Sequence, residues 1–291
     1  MDTGEDLTES SLLVVVLDVG LSRATTLRND PVLAGQVLEA VIAFSNAHMM
    51  MRLKNLLALV ACDTETTEWI YPERKADMSD LRQQDGQHEL FNELERTVRR
   101  KIAQLLKRSA GSNSKGESML SGALGRALCY VHRMQQEERQ LNARVLVVTA
   151  NGQSVSQYMN FMNVFFTAQK QNVLIDVCCL GPESSLLQQG CDITGGQYFR
   201  PPQPQGLLQY LLWVFLPEPL LRNKLALPPR VKVDYRAACF CHRELVDIGF
   251  VCSVCLSIVC KFSPICTTCH TLFKNPGTLP IKPKRKKAKM V

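Results

Sequence analysis

The stretch Leu-Leu-Val-Val-Val-Leu-Asp at residues 12–18 decides the fold. Its six consecutive apolar residues are too few for a core helix and are apolar on both faces, which is typical of a strand covered by helices on each side of a parallel sheet. Similar runs recur at 56–62, 144–149 and 173–180. The sequence therefore predicts central parallel strands at these four places.

Segments of helical periodicity separate these runs. Apolar residues recur at intervals of three and four from Leu33 to Phe44, and again between Val155 and Phe166. Further helices are predicted at 88–107, 118–136, 184–192 and 206–215, and edge strands at 67–71 and 197–200. Strands that alternate with helices predict an α/β fold built on a doubly wound, mostly parallel sheet.

Proline and cysteine mark the domain boundaries. Pro217, Pro219, Pro228 and Pro229 interrupt regular structure and indicate a linker into a cysteine-rich segment. The predicted organisation is a flexible N-terminus at 1–10, an α/β domain at 11–217, a linker at 218–232, a small zinc-stabilised module at 233–272 and a basic disordered tail at 273–291.

The net charge of +7 belongs almost entirely to the tail. Six basic residues with no acidic neighbour account for most of it: Lys282, Lys284, Arg285, Lys286, Lys287 and Lys289. The nearly neutral remainder argues against a broad phosphate-binding surface, so direct DNA contact is expected to be at most weak. The cluster predicts a nuclear import signal, with a non-specific nucleic-acid arm as the second interpretation.

Cysteine usage indicates metal binding rather than disulfides. The first ten residues are acidic and polar, unlike a secretory signal, and no apolar run approaches the ~20 residues that span a membrane. A reducing compartment follows, and seven of the twelve cysteines fall within residues 239–269. The other five are predicted to be small buried core residues: Cys62, Cys129, Cys178, Cys179 and Cys191.

Two Cys-x2-Cys pairs give the strongest signal in the chain. Cys252 with Cys255, and Cys266 with Cys269, form two knuckles ten residues apart. Four thiolates satisfy the tetrahedral preference of Zn²⁺ and leave no position open for substrate. The pattern predicts a closed structural zinc site that stabilises a module too small to fold by core burial alone.

A second ligand set is a candidate for another zinc ion. It comprises Cys239, Cys241, His242 and Cys260. If the two sets alternate along the chain, they form a cross-brace, as in ring-finger-like modules. This leaves a ring-type ubiquitin ligase as the alternative function, although the irregular start at Cys239 and the solitary Cys260 fit that pattern poorly.

No enzyme motif is evident. Gly111 and Gly116 have phosphate-loop spacing, but Glu117 stands where the essential lysine belongs, and no Gly-x-Ser-x-Gly elbow occurs. The expectation is a non-enzyme.

Asp18 ends the first buried strand, where doubly wound sheets bind ligands. The predicted element order and this position resemble a von Willebrand factor A domain, whose adhesion-type metal site reads Asp-x-Ser-x-Ser, followed by a later Thr and a later Asp. Asp18 and Ser22 match this motif, Gly20 replaces the middle hydroxyl, and Ser118 stands in for the Thr. No carboxylate follows the strand at 144–149. The site is therefore expected to be degenerate and to bind no Mg²⁺.

Three further blocks carry a more specific resemblance, at residues 157–164, 207–216 and 233–242. With the zinc pairs, they resemble the subunit 3 family of general transcription factor IIH, from residue 12 to residue 269. That resemblance implies a nuclear, non-catalytic scaffold in the transcription factor IIH core. Its expected partner is the second core subunit with a von Willebrand A domain and bound zinc, and its expected role is to support promoter opening and nucleotide excision repair.

Overall fold

The computed structural model describes residues 10–20, 30–73, 89–111, 117–138, 141–152, 157–229, 232–242 and 244–273. The chain divides into two compact units, Met1–Tyr235 (unit 1) and Arg236–Val291 (unit 2). The predictions for residues 1–9, for Ser22 and for the six basic tail residues lie outside the described part of the chain.

Unit 1 is built on a six-stranded sheet. Its strands, in chain order, are β1 Ser11–Asp18, β2 Leu56–Cys62, β3 Thr67–Tyr71, β4 Asn142–Thr149, β5 Leu174–Cys179 and β6 Tyr198–Phe199. In space they follow the order β3-β2-β1-β4-β5-β6, and every neighbouring pair is parallel except β2 with the edge strand β3. The predicted fold class, a von Willebrand factor A-like, doubly wound and mostly parallel sheet, is confirmed by this order.

Strand β1 explains why the sheet is covered on both faces. All eight of its residues are buried. Leu13, Val15 and Leu17 belong to one apolar cluster, whereas Leu12, Val14 and Val16 belong to the other. Successive side chains of a strand point to opposite faces, so a continuous apolar run requires a helical layer on each side.

The helices supply those two layers. They are α1 Pro31–Met51, α2 Glu89–Gly111, α3 Leu120–Glu137, α4 Tyr158–Lys170, α5 Ser185–Thr194, α6 Leu207–Tyr210 and α7 Pro219–Arg222, with a 3₁₀ turn at Pro204–Gly206 and a π-helical turn at Leu211–Phe215. Helices α1 and α2 pack on one face, and α3, α4 and α5 pack on the other.

Helix α1 packs its predicted apolar residues, from Leu33 to Phe44, against the sheet. Asp30 caps it by accepting hydrogen bonds of 3.0 Å from the amides of Val32 and Leu33. The stretch Val32–Met51 is also long and apolar enough to cross a membrane by length and composition, with 44% of it buried within the fold. A core helix of a soluble domain meets the same two criteria, and Phe44 is completely buried in the core.

The predicted linker at 218–232 is wrong in its first part. Pro219 begins α7, where a missing amide proton costs nothing, and Arg222 at its end is only 9% exposed. The Arg222 guanidinium donates hydrogen bonds of 2.7 and 2.6 Å to the two oxygens of the buried Asp176. A buried ion pair thus ties this segment to the sheet, a constraint that proline content alone does not reveal.

Arg144 reinforces the same region of unit 1. Its guanidinium donates to the carbonyl oxygens of Phe215, Leu216 and Pro217 at 2.7 to 3.0 Å. Phe215 ends the π-helical turn, and Leu216 and Pro217 follow it. Carbonyls at the end of a helix have no helical donor, and the buried arginine satisfies these three.

Four of the five cysteines assigned to the core of unit 1 are buried: Cys62, Cys178, Cys179 and Cys191. The prediction is wrong for Cys129, which is exposed. It lies on α3 immediately after the buried Ala127 and Leu128, so the helical rotation carries its side chain past the core stripe.

The described residues of unit 2 form very little regular structure. Strand β7 Ala237–Ala238 pairs with β8 Leu245–Val246, and β9 Phe250–Val251 pairs with β10 Ile258–Val259, both antiparallel. Apart from three cysteines, Ala238 is the only buried hydrophobic residue among its described residues. Apolar burial therefore cannot account for this fold.

Candidate metal centres

Two groups of potential metal ligands lie in unit 2. One, the all-cysteine cluster, contains Cys252, Cys255, Cys266 and Cys269. The other, the histidine-containing cluster, contains Cys239, Cys241, His242 and Cys260. Within each group, one ligand atom from every residue lies within 4.8 Å of the others. The structure therefore brings together both sets that the sequence proposed, and their thiolate and imidazole ligands suit zinc.

The all-cysteine cluster has the dimensions of a tetrahedral site. The sulfurs of Cys252 and Cys269 are 3.7 Å apart, and those of Cys255 and Cys266 are 3.6 Å apart. A tetrahedron with Zn–S bonds of ~2.3 Å has edges of about 3.8 Å. These two separations need almost no adjustment to hold the ion.

Both knuckles of the all-cysteine cluster share one backbone conformation. The amide of Leu256 donates to the carbonyl of Cys252 at 2.9 Å, and the amide of His270 donates to that of Cys266 at 3.0 Å. Leu256 and His270 have φ angles of 60° and 58°, in the left-handed region. The left-handed residue closes each tight turn, so His270 has a backbone role.

A hydroxyl supports each knuckle. The Ser257 hydroxyl lies 3.1 Å from the Cys255 sulfur and 3.4 Å from the Cys266 sulfur, and the Thr271 hydroxyl lies 3.2 Å from the Cys269 sulfur. The Ser257 hydrogen bond is the largest cause that lowers the pKa of Cys266, to about 5, and backbone amides contribute further. The same hydroxyl lowers the pKa of Cys255. These contacts favour the thiolate form that binds metal.

The histidine-containing cluster is more compressed and more open to solvent. Nδ1 of His242 lies 3.2 Å from the sulfurs of Cys241 and Cys260 and 3.9 Å from that of Cys239. The sulfurs of Cys241 and Cys260 are only 3.4 Å apart. Cys241 and His242 are exposed, whereas Cys239 is buried.

The segment after Cys239 shares one backbone hydrogen bond with the two knuckles but has no hydroxyl residue at the corresponding position. The amide of Cys239 donates to the carbonyl of Glu244 at 2.8 Å, five residues later, as Cys252 donates to Ser257 and Cys266 to Thr271 at 2.9 Å. Glu244 thus occupies the position of the two hydroxyl residues.

The two ligand sets alternate along the chain. Along the chain, Cys239, Cys241 and His242 of the histidine-containing cluster come first, followed by Cys252 and Cys255 of the all-cysteine cluster. Cys260 then returns to the histidine-containing cluster, and Cys266 and Cys269 complete the all-cysteine cluster. The irregular start of the segment does not prevent interleaving, because the single Cys260, directly after strand β10, completes the histidine-containing cluster.

Asp18 and Ser118 meet in unit 1, as the adhesion-site comparison predicts. The Asp18 carboxylate accepts four hydrogen bonds: from the Ser118 hydroxyl at 2.6 Å, the Gly20 amide at 3.1 Å, the Thr149 hydroxyl at 2.8 Å and the Asn151 side-chain amide at 2.8 Å. Burial raises the pKa of Asp18, and the four hydrogen bonds oppose that effect. Both oxygens are thus already engaged by donors.

Gly20 and Asn151 mark where this site departs from the adhesion motif. A Cβ at Gly20 would lie 3.2 Å from both Asp18 Oδ1 and Ser118 Cβ, so there is little room for the serine that the adhesion motif has at this position. Asn151 presents an N–H donor where the motif has a carboxylate. Ser22, the other matching residue, lies outside the described residues.

Sequence reasoning missed four residues of these sites. Ser257 and Thr271 carry a readable signal, because the pattern Cys-x2-Cys-x-Ser/Thr occurs twice. Thr149 and Asn151 carry no such signal, since only the parallel pairing of β1 with β4 brings them to Asp18.

Comparison with known proteins identifies the family. A model of the family described as transcription factor Tfb4 matches residues 10–270. The tfb4 subunit of general transcription and DNA repair factor IIH from Schizosaccharomyces pombe is 38% identical over 277 residues, which cover 94% of this chain and 92% of that relative. General transcription factor IIH subunit 3 from Dictyostelium discoideum is 35% identical over 261 residues, which cover 85% and 70%.

A solved structure agrees with this assignment. The N-terminal domain of TFIIH p34 superposes with a TM-score of 0.62 at 26% identity, over 70% of this chain and 97% of that domain. The resemblance inferred from the three sequence blocks is thereby confirmed, and the chain belongs to the transcription factor Tfb4 family.

Proposed function

We propose that this chain is a non-catalytic structural subunit of the transcription factor IIH core complex. It acts in the nucleus, where it supports RNA polymerase II transcription initiation and nucleotide excision repair through protein–protein contacts. The observation that carries the proposal is the family match over residues 10–270, which spans both the sheet of unit 1 and the two clusters of unit 2.

In this proposal each cluster of unit 2 binds one Zn²⁺ ion. Four protein ligands fill a tetrahedral coordination shell and leave no position for a reacting molecule. The role of the metal is therefore to fold unit 2, whose described residues contain almost no apolar core.

The surface of unit 2 supports a role in protein binding. Large apolar side chains are exposed between residues 248 and 272 of this unit: Ile248, Phe250, Val251, Val254, Leu256, Phe262, Ile265 and Leu272. No acidic residue occurs between 248 and 273. Apolar side chains gathered on so small a unit are typical of surfaces that another protein covers.

The adhesion-type site of unit 1 is proposed to bind no Mg²⁺. A hard cation needs several oxygen ligands with negative charge, whereas Asp18 offers one carboxylate that already accepts four hydrogen bonds. Asp18→Ala should leave complex assembly intact. Loss of a bound Mg²⁺ together with loss of partner binding in this variant would contradict the assignment.

The proposed partners are the other transcription factor IIH core subunits. The foremost is the second subunit that carries a von Willebrand A domain and zinc. Nuclear import is assigned to Lys282, Lys284, Arg285, Lys286, Lys287 and Lys289, and direct DNA contact through this tail is expected to be weak.

The alternative from the sequence, a ring-type ubiquitin ligase component, has no support in the family match. The relatives named above are subunits of a transcription and repair factor. Two ligand sets that alternate along the chain define how zinc would be held, and they do not by themselves indicate ubiquitin transfer. The full chain, mixed with a ubiquitin-charged conjugating enzyme, should not accelerate ubiquitin discharge. Faster discharge that Cys252→Ser abolishes would favour the alternative.

Cys252→Ser in the full chain tests the scaffold function. Loss of a ligand from the all-cysteine cluster should reduce the zinc content and weaken co-purification with the other core subunits. Cys129→Ser is the matched control, because Cys129 is an exposed cysteine of unit 1 outside both clusters. Undiminished zinc content and co-purification in Cys252→Ser would count against the proposal.

A further inference from the structure

We propose that the histidine-containing cluster is an oxidation-sensitive metal site, at which a peroxide joins Cys241 to Cys260 in a disulfide and the zinc is released. The all-cysteine cluster keeps its zinc under the same conditions. This inference rests on the proposed zinc occupancy of both clusters and adds a chemical difference between them.

Solvent access is the first difference between the clusters. Cys241 is exposed and Cys260 is partly exposed, so a small oxidant reaches both members of the closest sulfur pair. In the all-cysteine cluster each close pair contains one buried sulfur, since Cys252 is 4% and Cys266 is 3% exposed. Susceptibility of cysteine to oxidation follows its exposure and its thiolate character.

Hydrogen bonding is the second difference. Three hydroxyl contacts reach the sulfurs of the all-cysteine cluster from Ser257 and Thr271. A hydrogen bond donated to a thiolate withdraws electron density and lowers its nucleophilicity. At the equivalent knuckle position the histidine-containing cluster has Glu244, which is exposed and whose carboxylate cannot donate.

Geometry favours a particular disulfide. The sulfurs of Cys241 and Cys260 are 3.4 Å apart, closer than either close pair of the all-cysteine cluster. Other members of the histidine-containing cluster are less suitable, because Cys239 is buried and His242 cannot form a disulfide.

The reaction balances with a peroxide, ROOH, as the two-electron oxidant. The Cys241 thiolate attacks one peroxide oxygen, so that an S–O bond forms, the O–O bond breaks and RO⁻ leaves with a proton from water. The Cys260 thiolate then attacks the resulting sulfenic sulfur, which forms the S–S bond and expels hydroxide. Two thiolate ligands are thereby lost, and the remaining Cys239 and His242 no longer complete a site.

The test uses the full chain loaded with zinc. Elemental analysis should first find two zinc ions per chain. Hydrogen peroxide is then added in steps with a chromogenic chelator present, and peptides are mapped by mass spectrometry. We expect release of one of the two ions, a Cys241–Cys260 disulfide, and recovery of the ion after reduction with a thiol and addition of zinc.

Two variants distinguish protection of the zinc-binding sulfurs by hydroxyl contacts from unselective oxidation of exposed thiols. Ser257→Ala, which removes two of the three hydroxyl contacts to sulfur, should speed loss of the second ion and leave the rate of the first release unchanged. Cys129→Ser should match the unsubstituted chain, because this exposed thiol belongs to neither cluster.

Several results would overturn the proposal. These are simultaneous loss of both ions, oxidation of the peptides of the all-cysteine cluster first, or a reduced Cys241 after the first ion has left. A starting content below two ions would instead refute the zinc occupancy in the proposed function, so the two failures can be told apart.

Discussion

Units 1 and 2 differ in what holds them together. Unit 1 has a six-stranded sheet between two apolar clusters, whereas the described part of unit 2 buries one alanine and three cysteines as its hydrophobic residues. A segment of this size cannot bury enough apolar surface to fold alone, and in the proposed function bound zinc supplies the folding energy. Metal removal and core substitutions should consequently affect different units.

Zinc removal has the largest expected effect. A structural zinc ion contributes ~10–16 kcal/mol of apparent binding energy in small zinc modules, and the proposed function gives zinc this role in unit 2. A strong chelator should abolish amide protection throughout the described part of unit 2 and leave unit 1 protected, as measured by hydrogen exchange.

Trp69 and Trp213 provide the control for this experiment, because both tryptophans of the chain lie in unit 1. Their fluorescence should not change on chelation. Protection of unit 2 that survives complete zinc removal would show that the comparison between the units is mistaken.

Arg222→Ala should have the next largest effect, now confined to unit 1. The substitution leaves Asp176, which is 1% exposed, without its ion-pair partner. Removal of one member of a buried pair costs about 3–5 kcal/mol. Chemical unfolding followed by tryptophan fluorescence should report this loss, with the zinc content unchanged.

Arg99→Ala is the matched control. Its ion pairs with Glu39 and Glu95 are exposed, so the stability of unit 1 should change little. An equal loss in both variants would contradict a special role for the buried pair.

His48 should give unit 1 a pH dependence of slightly smaller size. Burial, with the nearby charge of Arg144, lowers the pKa of His48 from 6.5 to about 4. Between these pH values the unfolded chain binds a proton at His48 and the folded chain does not. The contribution of neutral His48 to the stability of unit 1 is therefore fully present above pH 6.5 and is lost as the pH falls towards 4. The loss is about 3 kcal/mol.

His48→Gln should remove this slope from the unfolding free energy of unit 1, measured by tryptophan fluorescence at several pH values. His132→Gln, at an exposed histidine of α3, should retain it. Identical slopes for the two variants would rule out His48 as the source.

Thr271→Val should have the smallest effect, and only in unit 2. It removes the hydroxyl 3.2 Å from the Cys269 sulfur and keeps the side-chain shape. Loss of such a supporting contact lowers metal affinity about 10- to 100-fold. Competition with a chelator should detect this change, while Ser253→Ala, at an exposed position between the cysteines of the other knuckle, should not reproduce it.

Much of the sheet was predictable from local sequence. Continuous apolar runs placed the four central strands to within two residues, and β2 and β3 match their predicted limits. Such runs are readable because both faces of a buried strand must be apolar. Helix α7 and the exposed Cys129 were mispredicted, since a distant ion pair decides the first and a helical rotation angle decides the second.

The all-cysteine cluster and the position of Cys260 differed in how directly the sequence indicated them. Spacing alone indicated the all-cysteine cluster, because each Cys-x2-Cys pair is a local turn. The sequence placed Cys260 in the second ligand set although spacing gave it no close partner. The structure brings it to Cys241 and His242, because the Phe240 amide donates to the Ile258 carbonyl at 2.7 Å.

By itself, the sequence determined the class of the sheet, the residues able to bind metal and the family resemblance, because these depend on side-chain chemistry and on short-range periodicity. Tertiary structure alone decided that four donors surround Asp18 and that Asp176 anchors α7. Those contacts join residues distant in the chain or depend on backbone geometry, and no local pattern encodes them.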